Sequence, residues 1–311
     1  MKALVTGGAG YIGSVLVPMF LREGWQVTVL DSFMYRQNSL LDCCNNKNLT
    51  IVRGDVRDER VLSDCLRGAD VVLPLACLTG APLCDREPIA ARQVNLEAVR
   101  AVVRLRSKSQ RVLFPTTNSG YGIGEADAHC TEESPLRPVS LYGRLKVEAE
   151  QAVLEAGNSL TFRLATAFGI SPRMRLDLLV NDFTYRAVTD GFLVLFQGHF
   201  RRNFIHVRDI SAAFLHGLKH FDSMQGKPYN VGLSEANLTK RQLCEEIRKQ
   251  IPKFYFTEAE VGEDPDKRDY LVSNERIEKT GFRPAVSLSE GIGELIRGYQ
   301  IIRARNGYAN V

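Results

Sequence analysis

The stretch VTGGAGYIGSVLV, residues 5–17, places Gly7, Gly10 and Gly13 between a short apolar run and a longer apolar segment. Glycine is needed where a chain turns tightly and where its backbone must approach a phosphate closely. A helix that starts at such a turn offers unpaired N–H groups to negative charge. The spacing alone is a weak signal, but with a predicted strand before it and a predicted helix after it, it predicts a nucleotide-binding turn.

Short β-branched runs alternate with longer amphipathic stretches through the first half of the chain. Short apolar runs separated by helices are typical of a parallel sheet that is covered on both faces. The pattern therefore predicts an α/β protein with a doubly wound parallel sheet, the Rossmann fold. The predicted strands are KALVT, QVTVLD, LTIV, DVVLPLA, RVLFP and LTFRLA, and the predicted helices cover 11–23, 39–45, 58–67, 86–107 and 140–156.

The regularity weakens after Phe168. We expect residues 1–168 to form the nucleotide-binding Rossmann domain, completed by 204–232 and 285–305. Residues 169–203 and 233–284 are expected to form a smaller C-terminal α+β lobe that binds the substrate. The later predicted elements are a helix at 176–190, the strand FLVLF, the segment FRRNFIHVRDI leading into a helix, the helix TKRQLCEEIRKQ and a last helix at 288–303.

Composition and charge argue against several classes of protein. Hydrophobic residues make up 44% and charged residues 24% of the 311 residues, as in ordinary globular chains. A formal charge of +4 without a run of Lys or Arg gives no support for nucleic-acid or membrane binding. Seven cysteines without paired CxxC spacing support neither a disulfide framework nor a metal site, so we expect a reducing cytoplasm.

The ends of the second and third predicted strands carry acids. Asp31 ends the second strand, where a dinucleotide's ribose diol would bind. An acid there favours NAD over NADP because it would repel a 2′-phosphate, although Arg22 and Arg36 act against that preference. Asp55 and Val56 follow the third strand, where an adenine edge could lie.

Tyr142 and Lys146, in SLYGRLKVEAEQ, are four residues apart on a predicted helix and so share one face. A phenol with an ordinary pKa near ~10 is a poor base at neutral pH, but a nearby ammonium favours the phenolate. On most helices this pattern is a solvated pair. After the fifth strand of a dinucleotide-type sheet, it predicts a catalytic tyrosine and lysine.

The segment FPTTNSGYG, residues 114–122, predicts the end of a buried strand that opens into a loop of hydroxyls and one amide, without a carboxylate. Together with TGGAGYIG and YGRLK, it makes the chain resemble the extended short-chain dehydrogenases/reductases of the nucleotide-sugar epimerase/dehydratase family. The resemblance covers nearly the whole chain. It also rests on GDVRD at 54–58, Asn95 in VNLEAV, RNFIHVRD, YNVG and RIEKTGFRP.

The resemblance implies NAD as the cofactor and a nucleotide-diphosphate sugar as the substrate. It implies that NAD stays bound and is regenerated within each cycle. The cofactor contacts are expected from Gly7, Gly10, Tyr11, Ile12, Gly13, Asp31, Asp55, Val56, Leu75, Ala76, Asn95, Tyr142 and Lys146.

The resemblance also assigns roles at the reactive end. Tyr142 is implied as the general base for a sugar hydroxyl, and Lys146 as the partner that lowers its pKa and binds ribose. Four residues before the tyrosine of the YG pair, family members have a Ser or Thr whose hydroxyl hydrogen-bonds the reacting oxygen. In this chain that residue is Thr117, with Thr116 as the alternative. Hydride then passes from the sugar carbon, usually C-4, to NAD and leaves a bound keto-sugar.

Other residues are expected to contact the substrate. Arg202 and Arg268 lie where relatives have arginines for the diphosphate, and two guanidiniums suit a pyrophosphate. Thr166 occupies the place where many relatives have an Asn that contacts substrate. His206 is flanked by apolar residues, so we expect a hydrogen bond in the core.

The residues after Thr117 separate the branches of the family. The 4,6-dehydratases carry Asp-Glu there, whereas this chain has Asn118 and Ser119, which do not readily exchange protons near neutral pH. A 4-epimerase needs no second acid or base, because the keto-sugar rotates and hydride returns to its other face. A nucleotide-sugar 4-epimerase is therefore the leading hypothesis, with Asn118 and Ser119 as substrate contacts.

Three alternatives stay open. Epimerases acting at C-3 and C-5 tend to have a Cys at the position of Ser119. In this chain Cys84 could supply a thiol from the loop after the fourth strand, with Cys77, His129 or Asp85 as other candidates. A dehydratase or reductase comes third. A non-catalytic NAD-binding regulator is a different class, and the intact catalytic set argues against it.

We also expect a homodimer. The predicted helices at 86–107 and 140–156 are where family members commonly pair into a four-helix bundle. Apolar positions such as Val99, Val102 and Val103 would suit that interface, or equally the chain's own sheet.

Overall fold

The computed structural model describes residues 1–125, 128–259 and 268–302. Residue 303 of the last predicted helix, 303–305 of the predicted Rossmann domain and 260–267 of the predicted lobe lie outside the described residues. The strands are β1 (Lys2–Thr6), β2 (Gln26–Asp31), β3 (Leu49–Arg53), β4 (Val71–Pro74), β5 (Arg111–Thr117), β6 (His129–Cys130), β7 (Ser159–Leu164), β8 (Thr166–Phe168), β9 (Phe192–Leu195), β10 (Arg201–His206), β11 (Pro228–Val231), β12 (Asn237–Thr239), β13 (Tyr255–Glu258) and β14 (Leu271–Val272).

Seven of these strands form one central sheet in the order β3-β2-β1-β4-β5-β7-β11. Every pairing in it is parallel. The chain runs outward from β1 to β3 on one side and from β4 to β11 on the other, so a crevice opens at the carboxyl ends of β1 and β4. The predicted doubly wound parallel sheet is confirmed.

The described helices connect and cover these strands. None of them is long and apolar enough to cross a membrane. They are α1 (Gly13–Arg22), α2 (Glu59–Leu66), α3 (Ala81–Arg86), α4 (Pro88–Arg92), α5 (Ala98–Leu105), α6 (Leu141–Glu155), α7 (Leu179–Thr189), α8 (Val207–Lys219), α9 (Phe221–Met224), α10 (Lys240–Gln250), α11 (Glu275–Glu278) and α12 (Leu288–Tyr299).

Two predicted helices differ from the structure. The helix predicted at 86–107 is confirmed from Pro88 to Leu105, but it does not extend back into α3, because the two are separated at Glu87, which is non-helical with φ −123° and ψ 59°. Pro88 follows it, and a proline disfavours the helical conformation in the residue before it. A π-helical turn at Gln93–Glu97 then joins α4 to α5. The predicted helix at 39–45 is a 3₁₀ turn, Leu41–Cys43.

Helices cover both faces of the sheet, as its apolar strands require. Val5 packs in the cluster that contains Phe20 of α1 and Phe214 of α8. Its neighbour Leu4 points to the other face, where Val99 and Val102 of α5 pack in the same cluster. These two valines therefore face the chain's own sheet.

Smaller sheets are built mostly from the second half of the chain. β10 pairs with β8 in parallel and with β12 antiparallel, while β9 pairs with β13 and β6 with β14. Residues 204–232 were predicted to complete the Rossmann domain. Of the strands that overlap them, β11 lies at the edge of the main sheet beside β7, whereas β10 pairs outside the main sheet. Two of these small sheets contain the strand that comes next along the chain after a main-sheet strand, β6 after β5 and β8 after β7.

The turn between β1 and α1 depends on glycine. Gly7 has φ +67°, and a Cβ atom there would lie 2.6 Å from the backbone nitrogen of Ala76 after β4. A Cβ at Gly13 would lie 2.6 Å from the backbone of Gly8. Both distances are shorter than real contacts, so a side chain at either position would push the helix from the sheet.

A buried ion pair fixes α6 against β7. Glu150 accepts hydrogen bonds from Nη2 and Nε of Arg163 at 2.6 and 3.0 Å, and both side chains are less than a tenth exposed. The same guanidinium donates to the Tyr121 hydroxyl and to the carbonyl of Glu132, each at 3.1 Å. Arg163 thus connects the helix, the sheet and the loop that follows β5.

We expect Glu150→Gln to destabilise the protein strongly, since it leaves a buried guanidinium without its carboxylate. Removing one partner of a buried pair costs about 3–5 kcal/mol in free energy of unfolding. Urea denaturation measures this loss. The matched control is Glu148→Gln on the same helix. Because that side chain is 45% exposed, we expect its free energy of unfolding to change by less than about 1 kcal/mol. Equal losses in the two variants would contradict the prediction.

Candidate active site

A cavity of about 450 Å³ crosses the carboxyl ends of β2, β1, β4, β5 and β7. Most of the predicted site residues line it, whereas Cys84, Asn95, Asn118 and Arg202 are not among its lining residues. The predicted residues that do line it are Gly7, Gly10, Tyr11, Ile12, Gly13, Asp31, Asp55, Val56, Leu75, Ala76, Thr117, Ser119, Tyr142, Lys146, Thr166 and Arg268.

Asp31 is held at one end of the cavity by the backbone around it. Its Oδ2 accepts from the backbone N–H of Ala9 at 2.9 Å, and its Oδ1 accepts from that of Phe33 at 2.8 Å. Burial raises the pKa of this carboxyl, and the two backbone N–H groups oppose the rise. The side chain is therefore pinned in place at the end of β2, where a ribose diol was predicted.

The residues at this end fit NAD. Gly7 and Gly13 leave the turn without side chains, so phosphate groups can approach the first N–H groups of α1. Beside Asp31, the hydroxyl of Tyr35 and Oε1 of Gln37 are buried, and neither has a hydrogen-bond partner in the described part of the chain. Both residues line the cavity, so a ribose could supply the missing partners.

Asn95 and Cys84 support the loop after β4 from behind. Asn95 accepts from the backbone N–H of Leu78 and donates to its carbonyl, both at 2.8 Å. The fully buried Cys84 thiol donates to the same carbonyl, and burial raises its pKa to about 12. The polar groups of both residues are turned onto Leu78, which itself lines the cavity, and the predicted contacts of Asn95 with the cofactor and of Cys84 with the substrate stay predictions.

Helix α6 presents Tyr142 and Lys146 to the cavity. The hydroxyl of Ser140 caps its first turn by accepting from the backbone N–H of Gly143 at 3.1 Å. Lys146 is 4% exposed, and its Nζ lies 3.9 Å from the ring centroid of Phe114 on β5. The two side chains lie on one helix face, as their spacing predicted.

Burial governs the protonation of this pair. Burial raises the pKa of the Tyr142 phenol, Cys77 adds to the rise, and the guanidiniums of Arg175 and Arg268 oppose it. Burial lowers the pKa of the Lys146 ammonium. Desolvation is therefore the larger effect on the pKa of Tyr142, and the lowering of that pKa by Lys146 stays a prediction.

The turn after β5 presents two linked hydroxyls. Oγ1 of Thr117 accepts from the backbone N–H of Ser119 at 3.1 Å and donates to Oγ of Ser119 at 2.9 Å. Asn118, between them, is 1% exposed, and neither atom of its amide has a hydrogen-bond partner among the described residues. The predicted contact of Asn118 with substrate is not supported by its position outside the cavity lining.

The two predicted diphosphate arginines lie in different places. Arg268 lines the cavity, and its Nη1 donates to Oγ of Ser119, so it reaches the reactive end. Arg202 is 2% exposed and donates to the backbone carbonyls of Arg201 and Arg268 behind the cavity wall. The prediction that Arg202 binds substrate is not supported, because its guanidinium is used in this backbone contact.

Two further arginines line the cavity, although our sequence analysis did not assign them. Arg173 and Arg175 follow β8 in the segment GISPRMR. The guanidinium of Arg173 lies 4.5 Å from the ring centroid of Tyr35, and that of Arg175 pairs with Asp177 at 2.5 Å. Two arginines directly after the carboxyl end of a strand were the signal that could have identified them.

His206 has the structural role predicted for it. It is fully buried, and its Nδ1 accepts from the backbone N–H of Arg208 at 3.2 Å, which caps α8. Burial lowers its pKa to about 4, so the ring is neutral at pH 7. It lies outside the cavity lining.

Carboxylates are confined to one end of the cavity. Among the described residues that line it, the acids are Asp31, the last residue of β2, and Asp55, which follows β3. Thr117 and Tyr142 are at the other end, beyond β1 and β4 in the sheet order. The described walls of the reactive end therefore supply a phenol, an ammonium, hydroxyls, a thiol and guanidiniums, and no carboxylate.

Comparisons with known proteins give a consistent family. The family model "NAD dependent epimerase/dehydratase family" matches residues 3–232. A dTDP-glucose 4,6-dehydratase from Streptomyces niveus is 30% identical over 326 aligned residues, which cover 98% of this chain and 94% of that protein.

Solved structures agree with this fold. A dTDP-glucose 4,6-dehydratase from Streptomyces venezuelae, crystallised with NAD, has a TM-score of 0.85 at 25% identity and covers 97% of this chain and 98% of its own. A UDP-glucuronic acid 4-epimerase from Bacillus cereus, crystallised with UDP-glucuronic acid and NAD, has a TM-score of 0.86 at 21% identity, covering 97% of this chain and 100% of its own. Dehydratases and epimerases thus share this architecture.

We expect the protein to bind NAD at least about tenfold more tightly than NADP, a difference of about 1.4 kcal/mol, because Asp31 repels a 2′-phosphate. Asp31→Asn should reduce the preference for NAD. Lowering the pH through the raised pKa of Asp31 should reduce it in the wild type as well, because protonation removes the negative charge. Calorimetric titration with each dinucleotide measures both effects. The control Asp42→Asn changes an exposed acid and should leave the preference unchanged. Equal affinities in the wild type would contradict the assignment.

Proposed function

The chain belongs to the NAD-dependent epimerase/dehydratase family, and we propose that it is a nucleotide-sugar 4-epimerase. The observation that carries this proposal is the reactive end of the cavity. Tyr142, Lys146 and the hydroxyls of Thr117 and Ser119 line it, and no carboxylate does among the described lining residues. These groups suffice to oxidise and re-reduce one carbon of a sugar, and they do not supply an acid and base for elimination.

The proposed reaction removes and restores two hydrogens at C-4 of the sugar. The phenolate of Tyr142 accepts the proton of the C-4 hydroxyl, while the hydride of the same carbon leaves, and a ketone remains. NAD, when bound, supplies the oxidant that takes this hydride and gives it back. Rotation of the keto-sugar between the two transfers presents its other face, and Tyr142 then returns the proton to the oxygen.

The remaining groups at this end favour the charged species of the reaction. Deprotonation of a partly buried phenol is costly, and the guanidiniums of Arg175 and Arg268 reduce that cost. Lys146 adds a buried cation one helical turn from Tyr142. The hydroxyl pair of Thr117 and Ser119 would hold the sugar oxygen at the place where negative charge develops.

NAD is the cofactor of this family, in agreement with the sequence-based prediction. The turn of Gly7 to Gly13 would hold the pyrophosphate and Asp31 the adenosine ribose. Asp55 and Val56 would border the adenine. Leu75, Ala76 and Lys146 would lie along the nicotinamide half.

A 4,6-dehydratase is the second candidate, because the relative that is 30% identical over nearly the whole chain bears that name. Elimination of water from C-5 and C-6 needs an acid and a base beside the keto-sugar. Asn118 and Ser119 stand where an Asp-Glu pair was expected for that branch. The residues therefore favour epimerisation.

Epimerisation at C-3 or C-5 has less support. The thiol of Cys84 is fully buried behind the loop, with a pKa raised to about 12. Cys77 does line the cavity, but burial raises its pKa as well. A thiol held neutral by desolvation is a poor base for a carbon acid.

We further propose that the protein is a homodimer and that it works in a reducing compartment such as the cytoplasm. All seven cysteines are free thiols, which agrees with such a compartment. We place the substrate in the class of nucleotide-diphosphate sugars.

Turnover in heavy water tests the reaction type. The purified protein is incubated with UDP-, GDP-, CDP- and dTDP-sugars, including glucose and glucuronic acid forms, and products are read by NMR and mass spectrometry. We expect a C-4 epimer without solvent deuterium, because the same hydride is returned. Deuterium at C-3 or C-5, or loss of water, would overturn the 4-epimerase assignment, and no turnover of any sugar would favour a regulatory protein.

We expect Tyr142→Phe to retain NAD binding and to lower kcat by roughly 10³-fold, since proton transfer by a positioned side chain contributes about 10²–10⁴-fold. In the wild type, kcat/KM should rise with pH above neutrality, because burial raises the pKa of Tyr142 and only the phenolate accepts a proton. Tyr229→Phe, a buried tyrosine outside the cavity lining, is the control and should keep full activity. Full activity of Tyr142→Phe would refute the assigned base.

A further inference from the structure

Residues 268–270 form a short strap that is fixed to the rest of the protein on both sides. Asp269 accepts from the backbone N–H of Arg201 at 2.8 Å and from its guanidinium at 3.0 and 3.1 Å. The carbonyl of Asp269 accepts from the backbone N–H of Gly124 at 2.8 Å. Tyr270 is 1% exposed. The backbone that carries Arg268 is therefore held between β10 and the loop after β5.

The Arg268 guanidinium extends from this strap to the hydroxyl of Ser119. Its Nη1 donates to Oγ of Ser119, and its charge is close enough to favour the Tyr142 phenolate. Arginine has only donors, so Ser119 must act as the acceptor in this contact. Arg268 thus stands at the reactive end and not on an open surface.

The hydrogen bonds of Ser119 can be counted. A hydroxyl has two lone pairs and one proton. Oγ of Ser119 accepts from Arg268 and also from Oγ1 of Thr117 at 2.9 Å, which fills both lone pairs. Ser119 lines the cavity, and within the described residues its own proton has no assigned acceptor. That proton is the group left to meet a substrate.

We propose that Ser119 is the hydroxyl that donates to the reacting sugar oxygen, and that Arg268 and Thr117 are positioning residues that hold its two lone pairs so that its proton faces the cavity. This inference rests on the proposed function, which it deepens. It changes the role predicted for Thr117, whose proton is committed to Ser119. It also moves Arg268 from the diphosphate to the reactive end.

The physical gain is a donor of fixed direction at the place where charge develops. When Tyr142 removes the hydroxyl proton, negative charge grows on the sugar oxygen, and a donor already aimed at it needs no reorientation. A hydroxyl that accepts from a cation is also a stronger donor, since hydrogen bonds in a chain polarise one another. Arg268 therefore acts on the sugar oxygen through Ser119.

A double-mutant cycle tests this arrangement, with Ser119→Ala, Arg268→Met and the double variant. We expect Ser119→Ala to lower kcat about 100-fold, the effect of removing one donor to a developing oxyanion. Arg268→Met should lower kcat about tenfold with little change in KM. In the Ser119→Ala background the same change should cost less than about twofold, because two residues that act as one unit are not additive.

Further variants serve as a conservative replacement, a control and a substitute in case of misfolding. Ser119→Thr restores a hydroxyl and should recover most of the activity. Arg241→Met, at a guanidinium that is 61% exposed on the lobe, is the matched control and should leave kcat and KM unchanged. NAD affinity is measured for each variant to confirm folding. If Arg268→Met does not fold, Arg268→Lys keeps a donor and should retain more of kcat than Ser119→Ala does.

The alternative role of Arg268 has its own signature. If Arg268 binds the diphosphate, Arg268→Met raises KM and leaves kcat unchanged. Calorimetry would then show that the affinity for the tightest-binding nucleoside diphosphate falls tenfold or more. That result overturns the inference. Additive losses in the cycle overturn it as well. A wild-type protein that turns over no sugar refutes the proposed function, whereas normal wild-type turnover with an additive cycle refutes only this inference. The calorimetric titration needs no turnover, so it decides the placement of Arg268 in either case.

Discussion

The ion pair between Glu150 and Arg163 is the contact on which the reactive end depends. Tyr142, Lys146 and Glu150 follow one another at intervals of four residues, so they lie along one face of α6. Because Glu150 is bonded to Arg163 on β7, the rotation of the helix and its position along the sheet are both fixed. The catalytic pair is placed one and two turns away from that fixed point.

The fold and the outline of the site were accessible from the sequence because they depend on short-range patterns. Apolar runs of four to six residues with helices between them describe a parallel sheet, and parallel strands all end at one edge. Residues at or just after the ends of such strands, such as Gly7, Asp31 and Thr117, therefore had to meet. The helix pair Tyr142 and Lys146 needed only the spacing of a helix.

The sequence did not predict side-chain directions that are set by distant parts of the chain. Asn95 and Cys84 belong to the correct region, but both are turned onto the backbone of Leu78. Arg202 is turned onto the carbonyl of Arg268, 66 residues later. Burial similarly raises the pKa of Tyr142, and the cost of desolvation depends on everything packed around the phenol. No local pattern encodes these contacts.

The strap that carries Arg268 has a consequence for biosynthesis. Ser119 and Arg268 are separated by 149 positions, and the edge strand β11 comes almost 70 residues after its neighbour β7. A ribosome makes the N-terminal half first, at about 5–20 residues per second. The nucleotide-binding half can then begin to fold before the strap exists. Competence for sugar chemistry is therefore acquired late, when the C-terminal segment reaches back across the sheet.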